Sequence, residues 1–211
     1  MKKRNFFTIL AALALVFGLV AATLAYFTDR DEATNVFTMG NIAVEIHEDN
    51  AEDSESEDYL ANDDYREWLA DQTLLPGAQN GLPKQVHFKN TGSNDSYIRA
   101  RLLIPKHIMD DNLLTLVYSS SPLWSMAHKV ETAETVNGTL YHVISIPYLN
   151  VVPAGTSTTD LLEGFYMRSD ADQDDLEGID AEDWHITVQV EAIQADGFAD
   201  VHAAFVAFDA Q

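Results

Sequence analysis

Along most of this chain, hydrophobic and polar positions alternate with a period of two. That spacing sends every second side chain of an extended strand to the same face. Ile42, Val44 and Ile46 alternate with Ala43, Glu45 and His47 and predict a half-buried strand. Val86 and Phe88 repeat the pattern within 84–90, and Thr91 to Asp95 supply turn residues. The segment 96–104 returns with Ile98, Ala100 and Leu102 on one face and Arg99 and Arg101 on the other. Further strands are predicted over 113–118, 123–130, 140–148, 159–167 and 185–193, with a hairpin signal at Asn137-Gly138 before the third of these. Short strands at regular spacing with turns between them predict one all-β domain, an antiparallel β-sandwich.

Two stretches change the period. Ala61, Tyr65, Trp68 and Leu69 fall at helical spacing within 59–71 and predict a short surface helix that covers a sheet edge or corner. Phe198, Val201, Phe205 and Phe208 predict an amphipathic tail helix over 198–208, packed on the sheets or on another subunit. Residues 48–58 are mostly acids, Ser and Ala and are expected to form a solvated loop that buries nothing. With the helix that follows, they make an acidic insert over 48–71.

The N-terminus reads differently. Lys2, Lys3 and Arg4 precede an uncharged apolar run over 6–24, about as long as a minimal membrane span. Small residues at Thr23 and Ala25 form a −3/−1 pair for cleavage before Tyr26, which predicts a signal helix over 1–25. A retained signal-anchor is the alternative, and would be the chain's only membrane contact. Cleavage leaves about 186 residues and moves the formal net charge from −22 to −25 by removing three cations. The new arm, 26–40, carries Tyr26, Phe27, Val36, Phe37 and Met39 among Thr, Asp and Asn. Such a segment can add as a strand to an open sheet edge, in its own chain or in a neighbour. The body is 41–211.

So acidic a surface excludes nucleic acid as a partner and opposes adsorption to anionic lipid. It favours solubility and attraction of cations, calcium above all. The chain has no cysteine, which excludes a disulfide framework, a thiol nucleophile and a zinc ribbon. The end of the sequence shows no cell-wall sorting signal, so release or non-covalent attachment is expected.

Candidate chemistry is sparse. Of seven histidines, none has the helical spacing of a zinc peptidase; His47-Glu48 opens such a motif, but Ala51 stands where the second His belongs. Asp170, Asp172 and Asp174 mimic the first three ligands of a calcium-binding loop. Asp175 then replaces the required Gly and Ala181 the bidentate Glu, leaving a weak calcium site or a solvated acidic loop. No serine-hydrolase, phosphate-loop or dinucleotide motif is present. Trp68, Trp124 and Trp184 are dispersed, which fits packing rather than a sugar-stacking platform.

Three blocks in order resemble a known family. Ala25-Tyr26-Phe27-Thr28-Asp29 followed by Asn35-Val36-Phe37-Thr38-Met39-Gly40-Asn41-Ile42 resembles the processed N-terminus of the TasA/camelysin family. Leu75-Pro76-Gly77 with Val86-His87-Phe88-Lys89-Asn90-Thr91-Gly92 is similar to that family's central block, and Val188 to Phe198 to its last core strand. The resemblance implies a jelly-roll sandwich, secretion through the dedicated signal peptidase SipW, and a non-enzymatic subunit of extracellular biofilm-matrix fibres. It also implies homo-oligomers joined by donor-strand complementation, with Tyr26, Phe27, Val36, Phe37 and Met39 as donor contacts. Camelysin-type metallopeptidase activity and a monomeric calcium-binding surface protein are the alternatives. The insert 48–71 and the Phe-rich tail have no counterpart in that pattern.

Overall fold

The computed structural model describes residues 28–32, 42–50, 60–172, 175 and 185–210. Within them the chain is mostly β, with antiparallel sheets and a few short helices. The largest sheet sets five strands side by side: β1 (Thr28–Glu32), β10 (Thr187–Gln194), β5 (Ser96–Pro105), β8 (Thr139–Pro147) and β7 (Val130–Val136). Each neighbouring pair is antiparallel. A second sheet pairs β2 (Val44–Asp49) with β4 (Gln85–Asn90), and a third orders β3 (Leu82–Pro83), β9 (Leu162–Met167) and β6 (Leu114–Tyr118). The approach to β9 runs beside β4: Leu161 N–H donates to Val86 C=O at 2.7 Å and Thr158 N–H to Phe88 C=O at 2.9 Å. The two smaller sheets are thereby linked.

Alternation explains the core. Ile98, Ala100, Leu102 and Ile104 of β5 share one cluster with Ile144 and Ile146 of β8 and with Val188, Val190 and Ala192 of β10. Val44, Val86, Phe88, Leu114 and Phe165 join the same cluster from the smaller sheets, and Ile42 joins it from just before β2. Trp124 meets the Phe88 ring edge-on at 5.7 Å and the Tyr148 ring at 5.0 Å. Each large side chain buried this way contributes roughly 1.5–3 kcal/mol, and a one-residue slip would expose a strand's whole inward set.

The other face of the five-stranded sheet carries the tail helix α3 (Val201–Asp209). Val201, Ala204, Phe205 and Phe208 bury against Tyr97 and Ile193, so the tail packs on its own sheet. Asp200 caps it, Oδ1 accepting from Ala203 N–H at 2.8 Å. Helix α1 (Asn62–Ala70) fills the predicted 59–71 stretch and buries Tyr65, whose hydroxyl donates to Pro83 C=O at 2.8 Å. A short α2 (Lys106–Asp110) follows β5 and buries Ile108.

Two expectations are corrected. The segment 123–130 is not a strand: it bends through a 3-10 turn at Met126–His128, and the strand before Asn137-Gly138 is β7. Residues 130–135 are exposed on both faces, so no apolar alternation marks them. Likewise, 48–58 does not stay wholly in solvent, because Glu48 and Asp49 are each only 4% exposed at the end of β2. Among the described residues no helix is long and apolar enough to cross a membrane. The expected signal helix, with Thr23, Ala25 and Tyr26, lies outside them, as do Phe27, Val36, Phe37 and Met39.

Candidate assembly edge and its charged neighbours

The arm enters the described structure as β1. Its register on β10 runs from Thr28 opposite Ile193 to Glu32 opposite Gln189, with Arg30 opposite Glu191. The strand reads Thr-Asp-Arg-Asp-Glu, without one apolar residue. What is described of it is its backbone ladder on β10. β1 lies at one end of the sheet, and without it β10 would become the edge. β10 is otherwise an interior strand, buried from Val188 to Ile193, including Gln189 and Glu191. Thr28–Glu32 has no alternating hydrophobics, so its own residues carry no strand signal.

Beside this edge the outer face of the sheet carries a network of charges. Arg99 Nε donates to Glu191 Oε2 at 2.6 Å, and its two terminal nitrogens grip Asp209 at 2.8 and 2.6 Å. The guanidinium also lies 4.4 Å from the Phe205 ring centroid. Burial by itself would lower the Arg99 pKa, but Asp209 and Glu191 overcome it and raise it. Arg101 donates to Gln189 Oε1 at 2.9 Å and pairs with Glu134 of β7. Together the two arginines tie β10, β5, β7 and α3 into one charged surface.

A second cluster lies at the end of β2. Glu48 Oε1 accepts from Lys84 Nζ at 2.6 Å and Oε2 from Arg66 Nε at 2.7 Å. Burial alone would raise the Glu48 carboxyl, but Lys84 and Arg66 hold it below its ordinary value. Nearby, His47 and His87 are direct cross-strand partners, stacked at 5.0 Å between centroids. His87 Nδ1 lies 3.3 Å from Asp160 Oδ1 and His47 Nε2 lies 3.6 Å from Glu45 Oε2. Burial first, then His87, lowers the His47 pKa, which favours the neutral imidazole.

The acidic loop around Asp170 turns on a cation of the protein's own. Arg168 Nε lies 2.8 Å from Asp170 Oδ1, and another guanidinium nitrogen binds Asp175. Asp172 Oδ1 accepts from Asp175 N–H at 3.2 Å. Asp174 lies outside the described residues. Among the described residues, no group of three or more His, Asp or Glu side chains is placed to hold a metal ion.

The central sequence block has a structural use. Asn90 is fully buried; its Nδ2 donates to Asn94 C=O at 2.8 Å and Val152 C=O at 2.9 Å, and its Oδ1 accepts from Gly92 N–H at 3.0 Å. It thus ties the end of β4 to two loops. Gly77 holds a φ of 102°, a region that glycine enters without strain, while its N–H donates to Met167 C=O at 3.0 Å. No protein-family model matches the chain, and neither a curated protein nor a solved structure does.

Proposed function

We propose that this chain is a non-enzymatic structural subunit of an extracellular matrix, exported, cut before Tyr26, and assembled into fibres by strand donation from its arm. The observation that carries this reading is the five-residue pairing of an all-polar β1 with β10 at the sheet's end. A ladder made by backbone alone is indifferent to which copy supplies the strand. Given by one copy to the next, the contact is heterologous and does not close, so a fibre results. Each net backbone bond contributes on the order of 0.5–1.5 kcal/mol. The apolar neighbours Tyr26, Phe27, Val36, Phe37 and Met39 are proposed as the anchors that add to it. The body is proposed to be a sandwich of jelly-roll type, with the five-stranded sheet as one layer and the linked smaller sheets as the other. Thr23 and Ala25 serve as the recognition pair of a SipW-type peptidase, whose cut frees the arm.

Electron microscopy of two forms, one starting at Tyr26 and one at Asn41, tests this. Filaments from the first and none from the second are expected. A synthetic peptide of residues 26–40 should bind the shorter form and stop filament growth by the longer one. Filaments from the Asn41 form, or none from either form, would overturn the proposal.

A further inference from the structure

The same sheet ends, opposite β1, in β7. Among the described residues the backbone of β7 is bonded to β8 alone, and 130–135 are exposed. The turn that joins them has φ of 51° at Asn137 and 90° at Gly138, the two positive values of a type I′ hairpin. Such a turn closes on a hydrogen-bonded Val136–Thr139 pair. Hydrogen-bonded pairs recur at every second residue. Val130, Thr132, Glu134 and Val136 therefore bond β8, while Glu131, Ala133 and Thr135 turn N–H and C=O outward.

The strand reads Val-Glu-Thr-Ala-Glu-Thr-Val. Laid antiparallel on itself about Ala133, it sets Val130 opposite Val136, Glu131 opposite Thr135 and Thr132 opposite Glu134. No acid faces an acid, and the smallest side chain sits at the centre. The outward-facing residues Glu131, Ala133 and Thr135 pair with Thr135, Ala133 and Glu131 of the second copy, so every outward group finds a complement.

We propose that two copies of this chain pair through β7, antiparallel about a two-fold axis at Ala133, and join their five-stranded sheets into one. The chain carries a formal net charge of −22, which opposes self-association in general. At this edge the acids are already compensated. Glu131 is held by Lys129 at 2.6 Å and His142 at 3.1 Å, and Glu134 is paired with Arg101. Val130 is 55% exposed and meets Val136 of the second copy, which adds apolar burial to the ladder. The contact is isologous and closes at two copies, unlike strand donation by the arm. It does not depend on the arm.

The absence of native cysteine makes single-cysteine crosslinking unambiguous. At a hydrogen-bonded antiparallel pair the Cα atoms stand about 5.5 Å apart, within disulfide reach. Under mild oxidation Ala133→Cys is expected to give a covalent dimer on a denaturing gel. Glu131→Cys alone is expected to stay monomeric, because its own copy lies about 13 Å along the strand. Thr135→Cys alone should do the same, but the two mixed should crosslink. No dimer from Ala133→Cys, or equal dimer from Glu131→Cys, would overturn the proposal. A denaturing gel counts only covalent pairs, so fibre formation or its failure leaves the result unchanged.

Discussion

The chain has two dense runs of acid, 48–58 and 170–183, and the fold treats their described members in opposite ways. Glu48 is driven into the protein; Asp170 and Asp172 stay at its surface. Both regions have a cation, so the presence of a partner is not what separates them. Strand register is. Ile42, just before β2, and Val44 and Ile46 on it alternate inward, and the next position of that set is Glu48. On the neighbouring chain segment Val86 and Phe88 point inward, and the preceding inward position is Lys84. Two apolar alternations thus end in opposite charges that meet at the end of the core. Arg168 instead binds Asp170 and Asp175 in a loop, where no alternation carries them inside. Register carries Glu48 inward, and Asp49, at the opposite parity, is buried as well, so closeness to the end of the core counts beside register in deciding which charges are buried.

That contrast can be broken experimentally. The largest effect is expected from Lys84→Met, which leaves the buried Glu48 carboxylate with Arg66 alone. Removing one partner of a buried pair costs on the order of 3 kcal/mol, and a urea denaturation midpoint measures it. Adding Glu48→Leu to that variant should restore most of the loss, because apolar groups of similar volume replace a buried pair at little cost. If the double variant is no more stable than the single one, the buried charge is not the cause.

A smaller effect is expected from pH. Lys84 and Arg66 hold the folded Glu48 pKa below its ordinary value of 4.5, against the opposing effect of burial. A depressed carboxyl pKa stabilises the fold above the unfolded value and loses that contribution as pH falls through the folded one. Wild type should therefore lose stability below about pH 4.5 more steeply than Glu48→Gln, which has no proton to bind there. Parallel stability curves from pH 6 to 3, roughly the titration range of a carboxyl group, would remove Glu48 from the account. The smallest effect is expected from Arg168→Ala. Its ion pairs are screened by water, so the denaturation midpoint should stay within error of wild type. A shift as large as that of Lys84→Met would erase the comparison.

Much of the fold can be followed in the residues themselves. Ile98, Ala100 and Leu102 alternate against Arg99 and Arg101, and β5 buries the first set and pairs the second with acids. Tyr65 and Phe205 sit inward on helices where their spacing predicts them. β7 was hidden because Glu131 to Thr135 face solvent on both sides, and periodicity registers only a difference between faces. The candidate assembly strand Thr28–Glu32 was hidden for the same reason, having no apolar residue to alternate.

The sequence by itself determined the antiparallel β character, the positions of the α1 and α3 helices and the hairpin at Asn137-Gly138. These follow from local periodicity and backbone preference, which each segment carries alone. Only the tertiary structure decided that Glu48 and Lys84 meet, that Arg99 joins Glu191 to Asp209, and that β1 and β7 end the same sheet. Those outcomes join residues distant along the chain, and polar segments carry no apolar pattern that specifies their partners.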